Sequence, residues 1–342
     1  MHQDRCQVLS LLGRVNLGVH EVNFAWTHAV VGVANLLAIK PDFIALQLFV
    51  VNDFSVHAVN LFLVPANKLL FGDNLLHLNS IPDASVQLVY IDPPFNTGRK
   101  QTRGKSETSR VETGGRVGFK GQQYEIIRET VLSYDDEFAD YWSFLEPRLE
   151  QAWRILNETG TLYLHLDYRE AHYAKVLLDA LFGRDCFLNE IIWAYDYGGK
   201  AKNKWPSKHD TILVYVKNPK SYYFNNEEVD REPYMAPGLV TPEKVALGKL
   251  PTDVWWHTIV SPTGKEKTGY PTQKPEGILR RVIQASSKPG DLVVDFFAGS
   301  GTTGAVAAAL GRNFILIDQN PESIEVISAR LKIADVDFSL VR

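Results

Sequence analysis

Cysteine is nearly missing: the 342 residues contain two, Cys6 and Cys186, far apart and outside any Cys-x-x-Cys or Cys/His cluster. That excludes a disulfide scaffold, a zinc ribbon and an iron–sulfur centre, and it fits a reducing, cytoplasmic setting. No metal-ligand cluster stands out. No apolar run reaches the roughly 18 residues of a membrane span; the longest, 29–39, stops at Lys40. An export signal would open with basic residues and a prompt apolar stretch, whereas Asp4 sits in the start here and the apolar stretch comes late. Excess positive charge is missing too. The net charge is −4, so the chain is not coated for nucleic acid, although a basic contacting face needs no net charge. Internal repeats and low-complexity tracts are also absent.

With 45% hydrophobic and 22% charged residues, the chain has ordinary globular composition and material for a sizeable core. Residues 1–64 are apolar, poor in charge and without caps or periodicity. They read as an extension of unassigned role, either loosely packed or an accessory helical segment. From Lys68 the pattern sharpens. Val86 to Ile91 is a continuous apolar run ending at Asp92-Pro93-Pro94, as in a buried parallel strand. Phe138, Tyr141, Trp142, Leu145, Leu149 and Trp153 recur at helical spacing. Strands are expected at 68–71, 161–166, 191–195, 211–216, 292–296 and 313–317, with helices among them. Asn320-Pro321-Glu322 reads as an N-cap, a first-turn proline and an acidic first turn. Strands alternating with helices argue a doubly wound α/β sheet. Two segments interrupt it. Residues 99–124, rich in Gly, Lys and Arg, read as a mobile basic loop, and 218–270, rich in Pro and aromatics, as an inserted small domain. The resulting division is 1–64, 65–217, 218–270 and 271–342.

Two motifs carry chemistry. Asp295-Phe296-Phe297-Ala298-Gly299-Ser300-Gly301-Thr302-Thr303 lies between an apolar strand and an Ala-rich helix. Its glycines permit close approach of a ligand to the backbone, and the helix start offers free N–H groups. It has no Gly-Lys-Ser/Thr, which argues against a nucleotide-hydrolysing phosphate loop. Asp318, ending the next strand, suits the two hydroxyls of a ribose. The second motif is Asp92-Pro93-Pro94-Phe95. Two prolines lock the chain so that a carbonyl points outward, Asp92 adds a second acceptor, and Phe95 a flat face. Two acceptors and a stacking surface suit an exocyclic amine on a planar base. Either motif alone is also compatible with an ordinary tight turn.

Together the motifs resemble the amino-group DNA methyltransferases of the circularly permuted beta class, in which the catalytic Asp-Pro-Pro-Tyr/Phe motif precedes the cofactor glycines. The resemblance runs from about 67 to 335. It implies a seven-stranded methyltransferase sheet, with the 68–71 strand beside the C-terminal strands, and S-adenosylmethionine as cofactor. Gly72-Asp73-Asn74-Leu75 resembles the segment whose acid binds the cofactor adenine. Tyr270-Pro271-Thr272-Gln273-Lys274-Pro275 resembles the stretch that holds the methionine carboxylate, Lys274 supplying the charge, with Tyr270 where the family often has His. Lys208-His209-Asp210-Thr211 also resembles the family.

By the same resemblance the substrate is double-stranded DNA and the insert 218–270 reads the target sequence; two basic clusters flanking the Asp-Pro-Pro-Phe site, Arg99, Lys100, Arg103 and Lys105, and Lys200, Lys202, Lys204 and Lys208, are the expected phosphate contacts. The resemblance allows a homodimer and a cognate restriction endonuclease. Adenine N6 is the expected target. Alternatives are cytosine N4, an RNA or protein-amide substrate, and a non-catalytic DNA-binding remnant. Cytosine C5 chemistry is disfavoured because neither cysteine follows a proline.

Overall fold

The computed structural model describes residues 67–96, 141–198, 200–261 and 263–342 with side chains, together with the backbone strands 30–40, 43–52, 55–61, 101–110, 116–117 and 123–134. Contacts divide the chain into two units, 1–64 and 65–342. In the first, Val30–Lys40, Phe43–Asn52 and Ser55–Leu61 pair in order as an antiparallel sheet. Over these strands the helical alternative is therefore corrected, since their valine-rich stretches favour extended backbone; the rest of 1–64 lies outside the described residues.

The second unit is built on a mixed sheet of nine strands. In chain order these are β1 (Lys68–Phe71), β2 (Val86–Ile91), β3 (Leu156–Leu166), β4 (Phe187–Ala194), β5 (His209–Val216), β6 (Val254–Trp256), β7 (Leu292–Asp295), β8 (Asn313–Asp318) and β9 (Ser339–Val341). The helices are α1 (Asn74–Leu78), α2 (Tyr141–Ile155), α3 (Ala171–Phe182), α4 (Pro242–Leu247), α5 (Glu276–Ser286), α6 (Thr302–Ala309) and α7 (Pro321–Ile333). The spatial order is β6-β4-β5-β3-β2-β7-β8-β1-β9. β5 is antiparallel to both of its neighbours, and every other pairing is parallel.

Alternation along the strands explains the two cores. Val89 and Ile91 of β2, Leu162 and Leu164 of β3, and Val294 of β7 point to one face, where Leu145, Leu149 and Ala152 of α2 and Leu178 of α3 cover them. Leu88, Tyr90, Tyr163 and Val293 point to the other, against Leu279, Val282 and Ile283 of α5, Val306 of α6 and Ile327 of α7. A sheet buried on both faces needs continuous apolar strands, and all six residues of β2 are buried.

The expected seven strands are corrected to nine. β6, from within 218–270, adds to β4, and β9 at the C-terminus adds to β1. Both cover an edge that would otherwise present unpaired N–H and C=O groups. Region 218–270 has little core of its own, since its buried apolar residues among those described are Val229, Trp255 and Tyr270. It is pinned to the sheet instead, by Trp193 donating to the His257 carbonyl at 2.6 Å and by ion pairs of Arg281 with Glu232 and Arg312 with Glu228.

A second correction concerns 99–124. Gln101–Arg110 and Arg116–Val117 form strands antiparallel to Gln123–Tyr134. That partner carries Ile126, Ile127, Thr130, Val131 and Leu132, a β-prone run that recruits the polar stretch as its ladder mate. The side chains of Arg103 and Lys105, and all of Arg99 and Lys100, lie outside the described residues.

The site follows from the winding. The chain leaves β2 for β3 with α2 on one face, and leaves β7 for β8 with α6 on the other. Between β2 and β7 the connections therefore diverge, leaving a crevice at the strands' carboxyl ends, where open α/β sheets bind ligands.

Candidate active site

Four loops meet at this crevice, following β2, β7, β8 and β1, around a cavity of about 310 Å³. After β7, Asp295 is held by the Phe297 amide at 3.0 Å and the Thr303 hydroxyl at 2.6 Å. Burial pushes its pKa up to about 7 in spite of these two bonds. Gly299 and Gly301 follow in left-handed backbone, at φ 51° and 71°. At Gly304 a Cβ would lie 2.6 Å from Cδ1 of Leu316, so only glycine lets α6 approach β8 this closely. After β8, Asp318 accepts from the amides of Gly299 at 2.8 Å and Asn320 at 2.9 Å, which joins the two turns.

After β1, Asn74 donates to the Phe296 carbonyl at 2.7 Å and accepts from Arg148 of α2 at 2.6 Å. Asp73 caps α1 through the Leu75 amide at 2.8 Å and pairs with Arg148 at 3.3 Å.

After β2, Asp92 pairs through Oδ2 with the Lys274 ammonium. That ammonium lies 5.0 Å from the centre of the Phe95 ring. The other oxygen, Asp92 Oδ1, is buried and has no hydrogen-bond partner among the described residues. Lys274 is fixed at its backbone, where its carbonyl accepts from the Thr302 hydroxyl at 3.1 Å. Thr272, nearby, has φ 57°, a left-handed conformation costly for a β-branched residue and typical of functional sites.

Behind Phe95 runs a buried polar chain. The Tyr90 hydroxyl meets His165 Nδ1 at 2.8 Å, His165 Nε2 meets Asp210 at 3.3 Å, and the Tyr195 hydroxyl donates to Asp210 at 3.0 Å. The His165 ring is 5.9 Å from that of Phe95, so the network fixes the floor of the pocket.

The structure brings together most of the residues expected from sequence. Asn74, Asp92, Pro93, Pro94, Phe95, Thr272, Lys274, Asp295 to Ser300, Thr302, Thr303 and Asp318 all line the cavity. Asp73 and Gly301 do not. The Asp73 carboxylate is engaged by the α1 cap and Arg148, and Gly301 packs beneath Ile327, which a Cβ would meet at 2.8 Å. Lys274 lines the cavity, but its ammonium rests on Asp92. Sequence reasoning missed Tyr90, Phe144, Arg148 and Asn320, which also line it. The apolar spacing of α2 gave no sign of Arg148, whereas Asn320 was visible only as a cap. Lys200, Lys202 and Lys204 are exposed and Lys208 half-buried, on the segment joining β4 to β5. β4 points the same way as β2, so this segment lies at the same edge of the sheet as Asp92.

The donor set fits S-adenosylmethionine. Asp318 stands beside a glycine turn for a ribose, a helix start and a lysine suit a carboxylate, and an unpartnered carboxylate oxygen and an aromatic face remain for a base amine. Fold and site together define an S-adenosylmethionine-dependent amino-group methyltransferase. The chain belongs to the N6/N4 DNA methylase family, which matches residues 86–329. It is 34% identical over 277 residues to the DNA adenine methyltransferase YhdJ of Escherichia coli K12, covering 79% of this chain and 84% of that protein. It is 31% identical over 265 residues to the Type II methyltransferase M.HpaI of Haemophilus parainfluenzae, covering 77% and 74%. Two solved structures share the fold. The cytosine-N4-specific PvuII DNA methyltransferase does so at TM-score 0.56 and 17% identity, over 81% of this chain and 97% of its own. The M1.HpyAVI complex with S-adenosylmethionine does so at 0.50 and 20%, over 77% and 98%. Among the described residues no helix is long and apolar enough to cross a membrane.

Proposed function

We propose that this DNA methyltransferase acts on adenine N6 at a specific sequence, with Asp92 and the Pro93 carbonyl as acceptors and Phe95 as the stacking surface. The observation that carries this reading is the buried, unpartnered Oδ1 of Asp92 beside the Phe95 ring, in the cavity shared with Asp318 and the glycine turn. S-adenosylmethionine, when bound, supplies an electrophilic methyl group. The adenine amine is a poor nucleophile because its lone pair is delocalised into the ring. Accepting both N–H groups favours the pyramidal form and stabilises the positive charge that grows on nitrogen as it gains the methyl carbon. Asp92 is placed to take the proton that nitrogen then loses. Positioning carries much of the remaining rate.

A base inside a duplex must leave the stack to reach this crevice, at about a few kcal/mol. Phosphate contacts by Lys200, Lys202, Lys204 and Lys208, and by Arg99, Lys100, Arg103 and Lys105, would offset that cost. The insert 218–270, whose strand β6 borders β4, is our candidate for reading sequence. The name of the E. coli relative and the acid at position 92 support adenine over cytosine. Asp92 precedes Asp295 in sequence while their strands are neighbours, which supports the permuted order. The Type II names of other relatives support pairing with a restriction endonuclease.

The test is transfer of labelled methyl to unmethylated DNA of mixed sequence, with nucleoside analysis, for wild type and Asp92→Ala. Labelled N6-methyladenine, reduced at least about 100-fold in the variant with cofactor binding retained, is expected. Labelled N4-methylcytosine would overturn the choice of base, and an active variant would overturn the role of Asp92.

A further inference from the structure

One of the two carboxylate oxygens offered to a target amine is taken by a side chain of the protein. The Lys274 ammonium sits on Oδ2 of Asp92 and 5.0 Å from the centre of the Phe95 ring. Asp92 is assigned above to the exocyclic amine and Phe95 to the face of the base, and both partners of the ion pair are largely buried, at 10% and 17% side-chain exposure. A flipped base cannot use Asp92 fully while an ammonium neutralises it and lies against Phe95. A bound sulfonium would add a second cation close by. Lys274 therefore has to move, and a buried ammonium moves only to another anion.

Few partners are available. Besides Asp92, the carboxylates lining the cavity are Asp295 and Asp318, and each already accepts two hydrogen bonds. Arg148, the second cation in the lining, is committed to Asn74, Asp73 and the Phe144 carbonyl. The Lys274 backbone, by contrast, is tied to Thr302 at the start of α6. Free N–H groups and the helix dipole favour an incoming carboxylate there. An amino-acid carboxylate at that helix start would lie within reach of the same flexible side chain.

Resting on the methyltransferase reading, we infer that Lys274 is a shared counter-ion. It neutralises Asp92 until the cofactor's carboxylate draws it away, so that the base pocket opens only once the cofactor is in place. Lys274 is a positioning residue in this scheme, and binding of the amino-acid end of the cofactor is coupled to the availability of Asp92. The order protects DNA from being held extruded with no methyl donor present.

The test needs no DNA and no turnover. S-adenosylhomocysteine and 5′-methylthioadenosine share the thioether nucleoside, but only the first carries the amino acid. Their affinities are measured by calorimetry for wild type, Asp92→Asn, Lys274→Met and the double variant. Freeing the lysine in Asp92→Asn should tighten S-adenosylhomocysteine about fivefold to tenfold, within the usual range of coupling between sites, and leave methylthioadenosine unchanged. In the Lys274→Met background the Asp92→Asn change should have no effect on either ligand. Unchanged methylthioadenosine binding certifies that each variant is folded. The inference is overturned if Asp92→Asn alters both ligands equally or neither. It is also overturned if the effect persists without Lys274, because simple repulsion between two carboxylates would then account for it. Failure of wild type to bind either nucleoside would overturn the cofactor assignment itself.

Discussion

At the scale of single residues the site is a set of carboxylates in very different circumstances. Asp295 is fully enclosed, and its raised pKa of about 7 reflects burial that two hydrogen bonds only partly offset. A carboxyl with a higher pKa folded than unfolded binds more protons in the native state between the two values. Stability therefore falls as pH rises from about 4 to about 7 and then levels. Asp295→Asn, which keeps one acceptor for the Phe297 amide and adds a donor toward Thr303, should flatten that fall in urea titrations across this range. An unchanged slope would remove Asp295 as its source. Asp92 differs in that one oxygen is paired and the other left bare. A bare buried acceptor is a standing cost of about 1–3 kcal/mol, expected where a ligand supplies the missing donor. The residue types at 92–95 were legible because their chemistry is local. Tyr90, His165 and Asp210 were not, because three strands must come together before they meet.

At the scale of elements, α6 shows how little tolerance the glycine turn has. Gly304 faces Leu316, a fully buried residue of β8, so an added methyl cannot be absorbed by a surface side chain swinging away. Gly304→Ala should cost about 1–3 kcal/mol as overpacking and lower the melting temperature by a few degrees, with cofactor affinity falling as α6 shifts. A variant as stable as wild type would mean that the helix has slack the contacts do not show. The start of α7 was fully readable: Asn320 accepts from the Glu322 amide at 3.0 Å, with Pro321 at the first position. α2 was readable only in part. Its apolar stripe marked the face on the sheet but gave no sign of Arg148, which is buried and bonded to Asn74. The basic stretch at 101–110 was misread because Gly104 and its charges hid a strand whose partner lies beyond it in sequence.

At the scale of the whole molecule, a chain of net charge −4 can still meet DNA through a local basic segment, because Lys200, Lys202, Lys204 and Lys208 lie together between β4 and β5. Lys200, Lys202 and Lys204 are exposed there together with Trp205, which is 94% exposed. Replacing the three lysines by Ala should weaken duplex binding and reduce the slope of log affinity against log salt by up to about 3. Affinity for S-adenosylhomocysteine should stay as it was. A slope equal to that of wild type, read from binding titrations across salt concentrations, would place the DNA elsewhere.

What could be known from residue order alone is what depends on near neighbours: the buried strand before Asp92, the glycine turn before α6, the acid ending β8, the cap of α7, and from these the chemistry of an amine acceptor beside a nucleoside site. Tertiary structure decided what depends on which strands lie side by side. It placed β2 against β7 although 203 residues separate Asp92 from Asp295, and it added β6 and β9 at edges where unpaired backbone sought a partner. It set Arg148 against Asp73 and laid Lys274 on Asp92. Packing and charge pairing act through space, and only the assembled sheet fixes which groups are near enough to compete.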